Sequence, residues 1–334
     1  MKIAFFEIKD EEKKLSLKGG LKEHELTFFE QSLTPENLPE QSDFEIISTF
    51  VNCQVDQSVI DYFPSLKLIT LRATGFDNID IKAAKERDIK VTNVPSYGSH
   101  TVAEFTFSLM LSLSRKIPQA VQKLKSTGEF EFENLRGMDI HGKVLGVIGT
   151  GKIGLNVIKI AKAFEMEVYA FDPYPNNTAA GDLGFKYLPL EELLPLSDIV
   201  TIHAPLNETT HHLINEENIF KMKKGSLLIN TARGGIIATD ALFKAITKNH
   251  LAGAALDVLE GEKDLKEELE VFSKNYPQDL KTMLENHILL DLEQVIITPH
   301  MAFYTKEAEA AIQQTTIDNI NSFILGKPVN LVSG

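Results

Sequence analysis

One cysteine, Cys53, stands in a chain of 334 residues, which excludes an intrachain disulfide and any cysteine-rich metal site. The thiol reads as a small buried residue. No apolar run approaches the roughly 18 to 20 residues that a spanning helix needs. Cations are scarce: 34 Lys and Arg against 47 Asp and Glu give a net charge of −13. Nucleic acid and anionic membranes select basic surfaces, so neither is an expected partner, and the acidity reads as a solubilising surface. Repeats at a fixed period and low-complexity tracts are also missing. The first residues, MKIAFFEIKDEEKK, read as a strand and a charged loop without a signal-peptide cleavage pattern. The expected setting is the cytoplasm. What remains is a globular composition, 43% hydrophobic and 24% charged, at a length for which two domains are the default.

Short apolar strands alternate with amphipathic stretches, the pattern of parallel sheets covered by helices. A first series lies near Lys2–Phe6, Phe44–Ser48, Leu66–Leu71 and Lys90–Asn93. Between Thr101 and Lys116, Val102, Phe105, Leu109 and Leu113 recur at helical spacing. Pro118 interrupts the pattern, and a basic helical stretch follows to about Lys125; together they read as a long helix between domains. A second series of six strands starts at Val144 and continues with Val168–Phe171, Ile199–Ile202, Ser226–Asn230, Ala252–Asp257 and Gln294–Thr298. The stretch from Glu260 to Glu293 is acidic and helix-prone, with a turn at Asn275-Tyr276-Pro277, and reads as a solvated insertion or an interaction surface.

The second series opens on a phosphate cradle. VLGVIGTGKIG, Val144 to Gly154, is an apolar strand ending in Gly149-x-Gly151-x-x-Gly154 and followed by a helical pattern. Gly149 permits a tight turn, Gly151 lets the backbone approach a pyrophosphate, and Gly154 lets the helix pack on the strand. The next strand, Glu167 to Phe171, ends in Asp172, where a carboxylate accepts hydrogen bonds from an adenosine ribose and repels a 2′-phosphate. NAD is therefore expected ahead of NADP.

Three later residues have catalytic character. Arg233 follows the strand SLLIN, and its planar fork suits bidentate capture of a carboxylate. Glu262 follows AGAALD by a few residues, and His300 follows QVIIT. Ligands collect at the carboxyl ends of strands in open parallel sheets, which is where all three fall. Taken singly, each reads as a structural residue or a surface ion-pair partner.

Together these segments resemble the D-isomer-specific 2-hydroxyacid dehydrogenases, with the D-lactate dehydrogenases nearest among them. The matching pieces are GVIGTGKIG, YAFDP, HAPLNETTHHLIN, LLINTARGG, AALDVLEGE and VIITPHMAFYT. The resemblance implies two doubly wound parallel α/β domains, Rossmann-like and flavodoxin-like, with a cleft between them. The catalytic domain would be discontinuous, about 1–98 with 300–334, and the NAD domain about 99–299. It implies that Arg233 binds the substrate carboxylate and carbonyl, that His300 is the general acid and base, and that Glu262 is its partner. An imidazole ionises near neutral pH, and a nearby carboxylate favours its charged form and fixes which ring nitrogen faces the substrate. The loop Arg72–Asp80 looks like the family's substrate loop, with amides near Thr74 and Gly75 for the carboxylate. Tyr97 would lie over the substrate and Phe303 against a small side chain; both also fit as core aromatics.

For NAD, the resemblance places Lys152 and Ile153 at the pyrophosphate and Asp172 at the ribose. Ala204, Pro205 and Thr210 would line the adenosine half. Thr231, Ala232, Arg233 and Asp257 would lie near the nicotinamide, and no metal is implied. The implied reaction is reduction of a small 2-oxo acid, pyruvate first, to the D-2-hydroxy acid. The alternatives are a bulkier 2-oxo acid, or a dinucleotide-sensing regulatory protein on the same fold, against which the intact Arg233, Glu262 and His300 argue. A homodimer through the helices after residue 100 is expected by analogy with the family.

Overall fold

The computed structural model describes residues 1–262 and 280–332. The expected turn at Asn275-Tyr276-Pro277 lies outside them. The chain divides into two units, Met1–Tyr97 with Tyr304–Gly334, and Gly98–Phe303.

The first unit is built on a parallel sheet of five strands: β1 (Lys2–Phe5), β2 (Glu25–Phe28), β3 (Ile46–Thr49), β4 (Leu68–Leu71) and β5 (Lys90–Thr92). Their order is β2-β1-β3-β4-β5. This is the flavodoxin-like order of doubly wound sheets, which places the topological switch beside β1. The sequences IIST and LITL are buried along their whole length, as parallel strands covered on both faces must be. Asp56 and Asp80 start the helices Gln57–Tyr62 and Ile81–Glu86 by accepting from the amides of Val59 and Ala83.

The second unit holds seven parallel strands. They are β6 (Val144–Ile148), β7 (Glu167–Phe171), β8 (Lys186–Tyr187), β9 (Ile199–Ile202), β10 (Leu227–Asn230), β11 (Gly253–Leu256) and β12 (Val295–Ile297). Their order is β12-β11-β10-β9-β6-β7-β8, so successive strands run outward from β6 on one side and from β9 on the other. The reversal between β6 and β9 is the switch point of a Rossmann sheet, where a dinucleotide is expected to lie.

Three local differences from the sequence reading have physical reasons. β2 and β8 were not expected. Both are edge strands, β8 has two residues and β2 is half-exposed, so neither carries the continuous apolar run that marks the inner strands. The expected long helix after residue 100 is two helices, Ser99–Ser114 and Ile117–Thr127. Lys116 takes a left-handed conformation (φ +52°) that ends the first, and Pro118 sits in the opening turn of the second, where no intrahelical N–H is needed. Finally, His300 packs with the second unit rather than with the returning segment, because Asp257 on that unit takes the amides of Met301 and Ala302.

Candidate active site

The parallel register brings six strand ends of the second unit to one edge of its sheet. Ile148 pairs with Phe171 and Ile202, Asn230 with Ile202 and Leu256, and Leu256 with Ile297. The residues that follow, Gly149, Asp172, His203, Thr231, Asp257 and Thr298, therefore share the carboxyl edge.

The glycine turn fits a pyrophosphate. Gly149 has φ +91°, and a Cβ there would lie 2.7 Å from the carbonyl of His203 and 2.8 Å from the amide of Ala204. A Cβ on Gly154 would meet the Gly149 oxygen at 2.0 Å, so the helix Lys152–Ala163 can lie this close only with glycine. Around Gly151, by contrast, a Cβ would meet nothing within 4 Å, and no side chain caps the helix. Its first amides, with exposed Lys152 and half-buried Ile153 beside them, are free to face an anion. Asp172 turns back onto the same loop: Oδ2 accepts from the amide and hydroxyl of Thr150 at 2.7 and 2.9 Å, and Oδ1 from the Tyr174 amide at 2.9 Å.

Further along the edge, the predicted adenosine-side residues divide by what holds them. Ala204 borders Gly149 directly. The Thr210 hydroxyl closes a turn, donating to the Pro205 carbonyl at 2.6 Å and accepting from the Asn207 amide at 2.8 Å. His203 pairs through Nε2 with Thr201 at 2.9 Å, while Nδ1 is shut off from solvent and has no partner among the described residues. Part of the residue reaches the surface, yet enclosure of the ring pulls its pKa down to about 3, so it is a neutral imidazole.

Arg233, Glu262 and His300 are assembled by backbone packing. Arg233 leaves β10 in a turn stapled by the Asn230 side chain, whose Nδ2 donates to the Arg233 carbonyl at 2.9 Å and whose Oδ1 accepts from the Ala232 amide at 3.0 Å. Next to it, a Cβ on Gly234 would come within 2.0 Å of the Leu259 carbonyl carbon and 2.3 Å of the Glu260 amide. That glycine brings the arginine turn against the loop that carries Glu262. Glu260 fixes the loop from the other side: His212 Nε2 lies 2.5 Å from Oε1, and the Thr239 hydroxyl donates to Oε2 at 2.9 Å. The Thr231 hydroxyl meets that of Thr106 at 3.0 Å, tying the turn to the helix Ser99–Ser114.

His300 Nδ1 lies 2.9 Å from Glu262 Oε1. The carboxylate's other oxygen accepts from the Leu259 amide at 3.2 Å, so both oxygens are fixed. A carboxylate only accepts, so Nδ1 carries the proton and Nε2 is the nitrogen left for chemistry. The residue itself has φ +53°, unusual for a side chain with a Cβ. Asp257 explains how this conformation is held. Its carboxylate accepts from Thr298 Oγ1 at 2.6 Å and from the amides of Met301 and Ala302 at 2.9 and 2.8 Å, clamping the chain on both sides of His300. Asp257 is 1% exposed, and burial pushes its carboxyl pKa up against the pull of those donors. The carboxylate is committed to this clamp, a use that the sequence pattern did not reveal.

The residues of the first unit expected to meet substrate sit on a braced loop. The Thr74 hydroxyl donates to the Val94 carbonyl at 2.8 Å, and Asn93 Nδ2 to the Thr74 carbonyl at 2.7 Å. Gly75 and Tyr97 are half-buried. Arg72, 3% exposed, anchors the loop by donating to the Phe6 carbonyl and to Ser48 Oγ at 3.1 Å. Burial lowers its pKa to about 10, which still leaves it charged at neutral pH. Phe303, half-buried, belongs to the second unit. Cys53 is buried beside this loop as expected, with its thiol pushed up to about 12 and thus unreactive.

Fold and site together define a nicotinamide-dependent oxidoreductase, and comparison with known proteins specifies which kind. Residues 107–302 match the family described as "D-isomer specific 2-hydroxyacid dehydrogenase, NAD binding domain". The chain is 36% identical over 330 residues to D-lactate dehydrogenase of Escherichia coli, covering 98% of each. It is also 36% identical over 310 residues to a 2-hydroxyacid dehydrogenase homolog of Zymomonas mobilis, covering 91% of each. A solved structure of D-lactate dehydrogenase from Aquifex aeolicus, complexed with NAD and lactic acid, matches with a TM-score of 0.90 at 33% identity and 99% coverage of both chains. This chain belongs to the D-isomer-specific 2-hydroxyacid dehydrogenases, and NAD is its cofactor.

Proposed function

We propose that the enzyme reduces pyruvate to D-lactate, with Arg233, His300 and Glu262 in the roles that the resemblance assigns. The observation that carries this reading is the His300–Glu262 pair, 2.9 Å apart at the carboxyl edge of the NAD-binding sheet. Bound NADH supplies the hydride. The chain supplies the rest: the Arg233 fork holds the substrate carboxylate and carbonyl oxygen, and His300 Nε2 gives its proton to the oxygen as it becomes an alkoxide. Glu262 pairs with Nδ1 and keeps Nε2 directed away from itself. Thr74 and Gly75 add backbone donors for the carboxylate, and Tyr97 and Phe303 take the substrate-side roles that the resemblance assigns. The first unit then acts as the substrate domain.

The coenzyme contacts follow the same reading. Gly149, Gly151, Lys152, Ile153 and Gly154 hold the pyrophosphate, Asp172 the adenosine ribose, and Ala204, Pro205 and Thr210 the adenosine side. Thr231 and Ala232 border the nicotinamide, and Asp257 acts from behind through the His300 loop. A cytoplasmic homodimer completes the proposal. The helix Ile117–Thr127 supports the dimer, since Ile117, Val121 and Leu124 form one stripe and are 50%, 46% and 43% exposed. The test is NADH consumption with pyruvate, hydroxypyruvate, glyoxylate, phenylpyruvate and 2-oxoisocaproate. Pyruvate should give the highest kcat/KM, by about 10-fold or more over phenylpyruvate. Preference for either of the two bulky acids would replace this substrate assignment, and no turnover with any of the five would overturn it.

A further inference from the structure

We infer that Tyr187 and Thr150 are positioning residues for coenzyme choice, because a one-way chain of hydrogen bonds through their hydroxyls fixes the edge of Asp172 that meets the adenosine ribose. The inference rests on the ribose reading of Asp172 given above. Four groups form the chain: the Asn176 amide lies 3.0 Å from the Tyr187 hydroxyl, which lies 2.8 Å from Thr150 Oγ1, which lies 2.9 Å from Asp172 Oδ2.

Its direction is forced by proton count. An amide N–H can only donate, so the Tyr187 oxygen accepts from Asn176. A carboxylate can only accept, so the single Thr150 hydroxyl proton goes to Asp172. Thr150 therefore has no proton left for Tyr187, and Tyr187 donates to it. Each hydroxyl thus accepts one bond and donates one, which polarises the chain toward the carboxylate. Thr150 is 6% exposed, so its hydroxyl has little recourse to water.

The consequence lies in what Asp172 still offers. A carboxylate has about four acceptor positions. Two on Oδ2 are taken by the Thr150 amide and hydroxyl, and one on Oδ1 by the Tyr174 amide. One position on Oδ1 remains, with the group locked against rotation. That arrangement accepts a ribose hydroxyl and presents fixed negative charge to a 2′-phosphate. It also gives the two-residue strand β8 a purpose: pairing Tyr187 with Ala170 of β7 aims the phenol at the loop beyond that strand.

The experiment is calorimetric titration of the full-length protein with NADH and with NADPH, without substrate, alongside thermal melts. Tyr187→Phe and Thr150→Val each remove one hydroxyl, and the valine keeps the Thr150 amide on Asp172. Thr150→Val takes a donor from Asp172 and should lower the ratio of NADH to NADPH affinity by about 5-fold, the size of one hydrogen bond, whereas Tyr187→Phe leaves that donor without its orienting partner and should lower it by about 2- to 3-fold. Thr150→Ser restores the hydroxyl and should keep the parental ratio. The double variant should equal Thr150→Val alone, because Tyr187 acts only through the Thr150 hydroxyl. Should Tyr187→Phe fail to fold, the valine and serine variants at Thr150 decide. A ratio within about twofold of the parent in Thr150→Val overturns the inference. If Asp172→Ala still collapses the ratio in that case, only the relay falls. If it does not, the ribose reading falls with it.

Discussion

At the scale of single residues, the site is two carboxylates doing different work around one imidazole. Glu262 touches His300 at Nδ1, whereas Asp257 never touches the ring and instead clamps the backbone on either side of it. Charge should matter for the first and hydrogen-bonding shape for the second. On the proposed roles, reduction of a 2-oxo acid consumes a proton that His300 delivers to the developing alkoxide. Glu262→Gln keeps the side-chain shape but removes the charge beside the ring. The value of kcat/KM for reduction should therefore fall by about 10-fold at fixed pH, the effect of a contact worth on the order of 1.4 kcal/mol. Steady-state rates for parent and variant give the answer. An unchanged kcat/KM would mean that Glu262 holds the ring without contributing to proton transfer.

At the scale of elements, the site depends on how closely two turns approach. The turn after β10 carries Arg233 and the loop after β11 carries Glu262, and Gly234 is where their backbones meet. An alanine there would put a methyl carbon 2.0 Å from the Leu259 carbonyl carbon, far inside contact distance, with main chain rather than a flexible side chain in the way. The loops must separate. A displacement near 1 Å in a catalytic constellation costs about 100-fold in rate, so Gly234→Ala should lower kcat/KM by about that factor. The thermal midpoint should also drop by several degrees, since backbone contacts are lost on both sides. Normal kinetics in a folded Gly234→Ala protein would show that this approach does not set the spacing of Arg233 and Glu262.

At the scale of the whole molecule, the open question is what covers the second unit's apolar helix. Ile117–Thr127 buries none of its residues in the chain, although Ile117, Val121 and Leu124 share one face. Phe130 and Phe132 follow it, 94% and 87% exposed. Water contact with that much apolar surface is the mark of an interface. Sedimentation or light scattering should report twice the chain mass for the parent. Val121→Glu combined with Leu124→Glu should shift the mass to that of one chain, through the burial cost of two charges. A monomeric parent would remove the proposed homodimer.

The sequence by itself determined the layered parallel architecture and the glycine cradle, and it offered Arg233, Glu262 and His300 as candidates at strand ends. Those features are local: a buried strand needs a continuous apolar run, and a tight turn under a helix needs glycine at fixed spacing. Asp172 was legible for the same reason, as the residue that ends the strand after the cradle. Only the tertiary structure decided what depends on contacts between distant segments. Asp257 meets Met301 and Ala302, Gly234 meets Leu259, and Tyr187 meets Thr150, and each pair lies far enough apart in the chain that no periodicity encodes it. The edge strands β2 and β8 belong with them. A strand paired on one side only needs no apolar run of its own, so its place is set by the neighbour that supplies its hydrogen bonds.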